Sequence, residues 1–291
     1  MSKEIKHLAA IAVAQLYRLA PEINFQLFNP DQLSGLLKFD IRRQPITNLC
    51  SAKSLLYQRW LADGGLEREY EAIEENNLQV IFWHEPSYPN ILRTIACPPP
   101  VIFIKGQLSP DYATTIAVVG SRRASYYGQG VIRCLIPTLT KSGLTIMSGL
   151  AIGIDTAAHW SAINSHGKTL AVLGSGLANI YPPQNKSLAD KIVASGGALI
   201  SEFPPLTAPF AKNFPQRNRL ISGLSHSVLV VEAAKRSGAL ITARFALEQG
   251  RDLLAIPGSI FSPLSEGTNS LISQGAYPIT TAADIIEHFT S

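Results

Sequence analysis

The stretch Lys212-Asn213-Phe214-Pro215-Gln216-Arg217-Asn218-Arg219 brings cations, an aromatic ring and side-chain amides together. Phe214 could offer a face on which a nucleobase stacks, an interaction worth ~1–3 kcal/mol per base. Arg217 and Arg219, with Lys212 beside them, could hold phosphate oxygens, and a guanidinium can also lie over a ring. Asn218 could fix a loop or read a base edge. The competing assignment is structural: a buried Phe214 and an arginine held in an internal ion pair.

Three other short segments suit anions. Gly120-Ser121-Arg122 offers a glycine, a hydroxyl and a permanent bidentate charge. Ser148-Gly149-Leu150-Ala151 offers a hydroxyl and a glycine just before a helix signal, and Gly174-Ser175-Gly176 offers two glycines. Backbone N–H groups in such turns approach an anion closely, and the following helix N-terminus adds partial positive charge. Neither the dinucleotide fingerprint GxGxxG nor the P-loop GxxxxGK[ST] is present. Asp155 and His159 stand four apart, on one face of a helix. The pairing invites an acid/base reading, but a first-turn carboxylate settled by the helix dipole, with His159 oriented against it, explains the spacing equally well. No GxSxG or HExxH motif occurs, and no catalytic residue is assigned.

The elements that must carry these turns are apolar strands alternating with helices. Leu78–Trp83 and Val101–Ile104 read as strands, followed by Thr115–Gly120, Leu144–Gly149, Thr169–Gly174, Ala198–Glu202, Ser227–Glu232 and Asp252–Pro257. Helix signals fall at Gly128–Ser142, Ile154–His166 and Ala239–Gln249. Near-continuous apolar strands belong to a parallel sheet buried on both faces, so the pattern predicts a doubly wound α/β domain over 76–291. In such sheets ligands bind beyond the carboxyl ends of the strands, where the glycine-rich turns fall. Residues 1–75 read as a small all-helical domain. An amphipathic helix ends before Pro21, short segments are punctuated by Pro30, Gly35 and Pro45, a second amphipathic stretch covers Leu49–Leu61, and an acidic helix follows Gly64-Gly65.

The formal net charge is +4, too small by itself to argue for a nucleic-acid partner. Its distribution carries more weight. Arg122, Arg123, Arg133 and Lys141 follow one another with no acid among them, and Lys212, Arg217, Arg219, Lys235, Arg236, Arg244 and Arg251 are opposed only by Glu232 and Glu248. Cys50, Cys97 and Cys134 lie far apart with no ligand spacing, which argues against disulfides and structural zinc and suits a cytoplasmic protein. No metal or cofactor is expected, and no signal peptide or membrane-spanning run is evident.

The ordered set of motifs resembles the DNA processing protein A family, also called DprA or Smf. The resemblance rests on Tyr88-Pro89, Ala117–Arg122, Ser148–Asp155 with Ala158-His159, Gly174–Leu177, Ile180–Pro182 with Asn185, Leu199–Glu202, Phe214–Arg219, Val231–Ala233, Ser237-Gly238, Glu248–Arg251, Ala255–Gly258 and Asn269 to Gly275-Ala276. It implies an extended Rossmann-like domain that binds single-stranded DNA, protects incoming strands during natural transformation, loads the recombinase RecA and pairs as a homodimer. A helical domain similar to sterile-alpha-motif folds often precedes it. The DNA pocket carried over comprises Gly120, Ser121 and Arg122, then Ser148 to Ala151, and Phe214 to Arg219. Many relatives have Lys directly after the Tyr-Pro pair; here Pro183 stands there, and Lys186 is the nearby substitute. Many also carry a C-terminal winged-helix domain, whereas this sequence stops at Ser291. A second expectation is a nucleotide phosphoribohydrolase of the same fold, which needs PGGxGTxxE; Pro257-Gly258 and Glu266-Gly267-Thr268 match it neither in spacing nor in order. A third is an interaction scaffold working through the acidic N-terminal helix or a sheet edge.

Overall fold

The computed structural model describes residues 2–20, 51–108 and 114–290. The punctuation at Pro30, Gly35 and Pro45, the helix stop at Pro21 and Cys50 lie outside these. Helix α1 (Lys3–Leu19) is capped by the Ser2 hydroxyl, which accepts from the Ile5 N–H, and is followed by α2 (Ser51–Ala62) and α3 (Gly65–Glu75). The remaining elements are β1 (Gln79–Phe82), α4 (Asn90–Arg93), β2 (Val101–Gly106), β3 (Thr115–Val119), α5 (Tyr126–Lys141), β4 (Thr145–Ser148), α6 (Ile154–Asn164), β5 (Thr169–Val172), α7 (Lys186–Ala194), β6 (Ala198–Ser201), α8 (Asn213–Gly223), β7 (Ser227–Val230), α9 (Gly238–Glu248), β8 (Asp252–Ala255), α10 (Glu266–Ser273), β9 (Tyr277–Pro278) and α11 (Ala282–Thr290).

The strands form one sheet in the order β1-β2-β6-β5-β4-β3-β7-β8-β9. β2 runs antiparallel to both β1 and β6, and every other pairing is parallel. The mostly parallel, doubly wound α/β sheet expected from the sequence is therefore present. Strands β3 to β7 are buried at every position, which explains their unbroken apolar runs. On one face Ala117, Met147, Val172 and Val230 pack against Leu220 and Ile221 of α8 and Ala243 of α9. On the other, Ile116, Val118 and Leu229 meet Ile132 and Leu139 of α5 and Ile154 and Ala158 of α6. Helix α1 shares a core with the sheet, since Ile11, Leu16 and Tyr17 belong to one cluster with Val80, Phe82 and Phe103.

Two differences from the sequence reading matter for the site. The Phe214–Arg219 segment, given no element by the sequence pattern, is the start of helix α8. Pro215 sits in the first turn, where N–H groups lack intrahelical partners anyway, so its missing donor costs little. Helix α7 and the short final strand β9 were not foreseen.

Candidate nucleic-acid interface

The site is built along the carboxyl edge of β3, β4, β5 and β6, with α8 behind it. The turn after β3 is strapped to the start of α6. The Ser121 carbonyl accepts from Ile154 N–H at 3.1 Å, and the Ser121 hydroxyl accepts from Arg123 N–H at 3.0 Å. Gly120 lies against the Ile154 side chain. Arg122 is exposed, with its guanidinium 5.9 Å from the centre of the Phe214 ring.

The turn after β4 corrects an expectation. Ser148 is fully buried and donates its hydroxyl hydrogen to the Val118 carbonyl at 2.7 Å, so that donor is spent inside the sheet. Gly149 N–H and Ala151 N–H both reach Asp155 Oδ2, at 3.0 and 3.4 Å. The amides foreseen as anion donors are thus already taken up by the protein's own Asp155 carboxyl oxygen. Leu150 is buried with φ 58°, and its carbonyl accepts from Asn185 Nδ2 at 2.8 Å. This turn is a brace that tethers α6 and the Pro183–Asn185 turn to the strand end.

The turn after β5 makes room for its neighbours. A Cβ on Gly174 would stand 2.8 Å from Phe214 Cδ1, and one on Gly176 would collide with the Pro204 and Pro205 carbonyls. The Gly176 N–H donates to the Thr207 carbonyl at 2.9 Å, so it too is engaged internally. Phe214 is half-buried on this glycine floor. The Tyr181 ring, 43% exposed, tilts against it at 5.5 Å between centres.

The arginines of α8 part company. Arg217 is buried. Its Nη1 donates to the carbonyls of Gly149, at 2.7 Å, and Val172, and its Nε donates to Asn218 Oδ1 at 3.1 Å. Asn218 in turn donates from Nδ2 to the Gly238 carbonyl at 3.3 Å. The Arg217 guanidinium lies 6.0 Å from the Phe214 ring centre, on the protein side. Burial pulls its pKa down to about 10, with Asp155 raising it and Arg122 lowering it further, so it stays cationic at neutral pH. Arg219 turns the other way and pairs with the buried Glu202, while its Nη2 also lies 3.4 Å from the Tyr17 hydroxyl. Arg217 and Arg219 therefore do not present guanidiniums to solvent as the sequence suggested. Residues two apart on a helix point to different sides, so they could not both face one ligand. Lys212, just before α8, and Lys186, at the start of α7, are exposed.

Burial raises the Asp155 pKa against the opposing pull of Arg217 and two amides, while burial and Arg217 drive His159 down to about 3. His159 does not face Asp155. Its Nδ1 lies 2.7 Å from Thr169 Oγ1, whose own hydrogen goes to the Ile146 carbonyl, so Nδ1 is the donor. The two side chains therefore serve separate internal contacts.

Sequence reasoning missed Tyr181 and the 48% exposed Phe210 as aromatic surface, and Asp155 as the organiser of the second turn. A Tyr-Pro step in a loop ending at a buried asparagine was the available signal for Tyr181. The site as built is an aromatic pair, Phe214 and Tyr181, flanked outside by Arg122 and underneath by Arg217. The fold and site define a Rossmann-like α/β protein with a basic, aromatic surface at its strand ends.

The comparisons place it more narrowly. The family described as DNA recombination-mediator protein A matches residues 79–290, and the chain belongs to that family. It is 48% identical to Protein Smf of Escherichia coli over 74% of this chain and 58% of that protein. It is 43% identical to DNA processing protein DprA of Bacillus subtilis, over 76% of this chain and 75% of that one. The chain thus spans a little over half the length of the first relative. The X-ray structure of DNA processing protein A from Streptococcus pneumoniae superposes with a TM-score of 0.73 at 34% identity, covering 98% of this chain and 95% of that one. A structure reported for the single-stranded DNA binding mode of DNA processing protein A from Helicobacter pylori gives 0.64 at 27% identity, covering 73% and 96%. Among the described residues no helix is long and apolar enough to cross a membrane.

Proposed function

We propose that this chain binds single-stranded DNA along the carboxyl edge of its sheet, as a binder rather than a catalyst. The observation that carries this reading is Arg122 standing exposed over the Phe214–Tyr181 pair. A phosphate meets an exposed cation while the adjacent base meets an aromatic face, the combination that single-strand grooves use. Of the expected contact residues, Arg122, Phe214, Lys186 and Lys212 would touch the strand. Gly120, Ser121, Ser148, Gly149, Leu150, Ala151, Gly174, Gly176, Arg217, Asn218 and Arg219 would shape or brace the surface. The Helicobacter pylori relative, studied for its single-stranded DNA binding, supports the reading through its shared fold.

The wider role follows the family. The chain protects incoming strands in the cytoplasm during transformation and recombination and passes them to RecA. Residues 1–75 act as a helical unit ahead of the DNA-binding domain, and two copies pair through that domain. Exposed Leu247 and Ile260, beside Leu240 and Leu271, supply apolar area for pairing.

Competition between a labelled oligo-dT and unlabelled competitors tests the core claim. Single strands are expected to displace the label at concentrations where duplex of equal length does not. Equal displacement by duplex would contradict single-strand selectivity. A RecA pull-down with and without DNA tests the loading role.

A further inference from the structure

The rim does not stop at β3. The loops leaving β6, β5, β4, β3, β7 and β8 contain only two acids, Glu202 and Glu232, and both are buried. Glu232 is turned inward onto the loop after β3, accepting from Ser125 N–H at 3.0 Å and from the Ser125 hydroxyl. Five exposed cations line the same loops, Arg122, Arg123, Lys212, Lys235 and Arg236, and the exposed Lys186 opens α7 at their edge. None takes part in an ion pair among the described residues. A rim whose exposed cations outnumber its one exposed carboxylate, Glu266 at the start of α10, focuses negative ligands along its length.

The β3 and β7 loops are fastened into one surface. The Ser125–Glu232 contacts join them, and the Asn218–Gly238 hydrogen bond brings the end of the β7 loop, just past Arg236, onto α8 beside Arg217. Tyr127 donates its hydroxyl to the Pro257 carbonyl at 2.7 Å, fixing the first turn of α5 to the β8 loop. Its neighbour Tyr126 makes no such contact and stands 92% exposed, three positions from Arg123. That ring is open to a ligand, as the nearby Arg123 is.

We propose that the single strand continues past Arg122 onto a second segment, with Arg123 and Arg236 holding further phosphates and Tyr126 giving a second stacking face. This rests on the reading that the β3–β6 edge binds single-stranded DNA. With strands about 4.8 Å apart, the track lengthens from about 14 Å across β6 to β3 to about 19 Å across β6 to β7.

The test is a length series of labelled oligo-dT, from about 4 to about 16 nucleotides, bound by wild type, by the double variant Arg123→Ala/Arg236→Ala, and by Tyr126→Ala. All three side chains are exposed, so the fold is retained. The shortest oligonucleotides are expected to bind all proteins alike. For the longest, the double variant loses roughly tenfold in affinity, and its slope of log K against log salt is shallower by about 1.4, two phosphates at about 0.7 each. Tyr126→Ala weakens the same oligonucleotides by roughly fivefold or more. A double variant that equals wild type at every length and salt overturns the extension. Should Arg122→Ala lose binding in that same experiment, the shorter site stands while the extension falls. Should wild type bind no oligonucleotide at any length, both fall.

Discussion

Arg122 and Arg217 stand at nearly the same distance from one ring, 5.9 and 6.0 Å from the centre of Phe214, yet they have opposite tasks. Arg122 is exposed and makes no ion pair among the described residues, so its charge is available to a ligand. Arg217 is buried and spends its donors on Gly149, Val172 and Asn218. The first is a grip and the second a strut that keeps two strand-end turns and the aromatic floor in register. A guanidinium near a binding surface is not by itself a binding group; where its donors already point decides the matter.

That contrast can be broken by experiment. The largest effect is expected for Arg217→Ala. It strips a donor from the buried Gly149 and Val172 carbonyls, a loss of about 1–3 kcal/mol of stability for each. Urea denaturation measures it. A folded Arg217→Ala with wild-type stability that still lost oligonucleotide binding would make Arg217 a grip after all.

The same logic extends to Glu69, buried on α3, which accepts from the Leu206 N–H at 2.7 Å and so ties the N-terminal helices to the loop leading to Phe210 and Lys212. Burial raises its pKa to about 7 from an ordinary 4.5, against the opposing hydrogen bond from Leu206 and the charges of Arg18 and Arg68. The folded state therefore holds this proton more tightly than the unfolded chain. Its stabilising contribution is complete below about pH 4.5 and is lost as pH rises toward 7, about 3 kcal/mol in all. His159 works in the opposite sense, since its lowered pKa removes stability as pH falls below 6.5. Glu69→Gln isolates the first contribution. The variant's stability relative to wild type should climb between pH 4.5 and 7 and stay level below. A difference independent of pH would show that folding leaves the Glu69 pKa at its unfolded value.

The smallest effect is expected at Tyr181. Its ring leans on Phe214 but stays partly exposed, so Tyr181→Ala should cost about 1 kcal/mol of oligo-dT affinity and little stability. Fluorescence anisotropy reads the first and thermal unfolding the second. A large loss of stability with affinity intact would move Tyr181 to the structural side of the comparison.

The sheet was readable because strands buried on both faces have no polar alternation to confuse them, and their glycine and serine ends marked the carboxyl edge. Helix α8 was harder to see because Pro215 reads as a breaker, although a first-turn proline is tolerated. The direction of each side chain was hardest. The family resemblance puts Arg122, Arg217 and Arg219 in one expected pocket, but only packing shows that one faces water, one spans two turns and one meets Glu202. Ser148 is the same case: a serine at a strand end suits a phosphate until its hydroxyl is seen donating to Val118.

The account's central claim is that Arg122, over Phe214, grips a phosphate of a single strand. Oligo-dT binding by wild type and Arg122→Ala across a range of salt concentrations tests it most directly. The expected result is a linear fall of log K with log salt for wild type and a shallower fall, by about 0.7, for the variant, with unfolding midpoints unchanged. A flat wild-type profile, or a variant indistinguishable from wild type in affinity and slope, would contradict it.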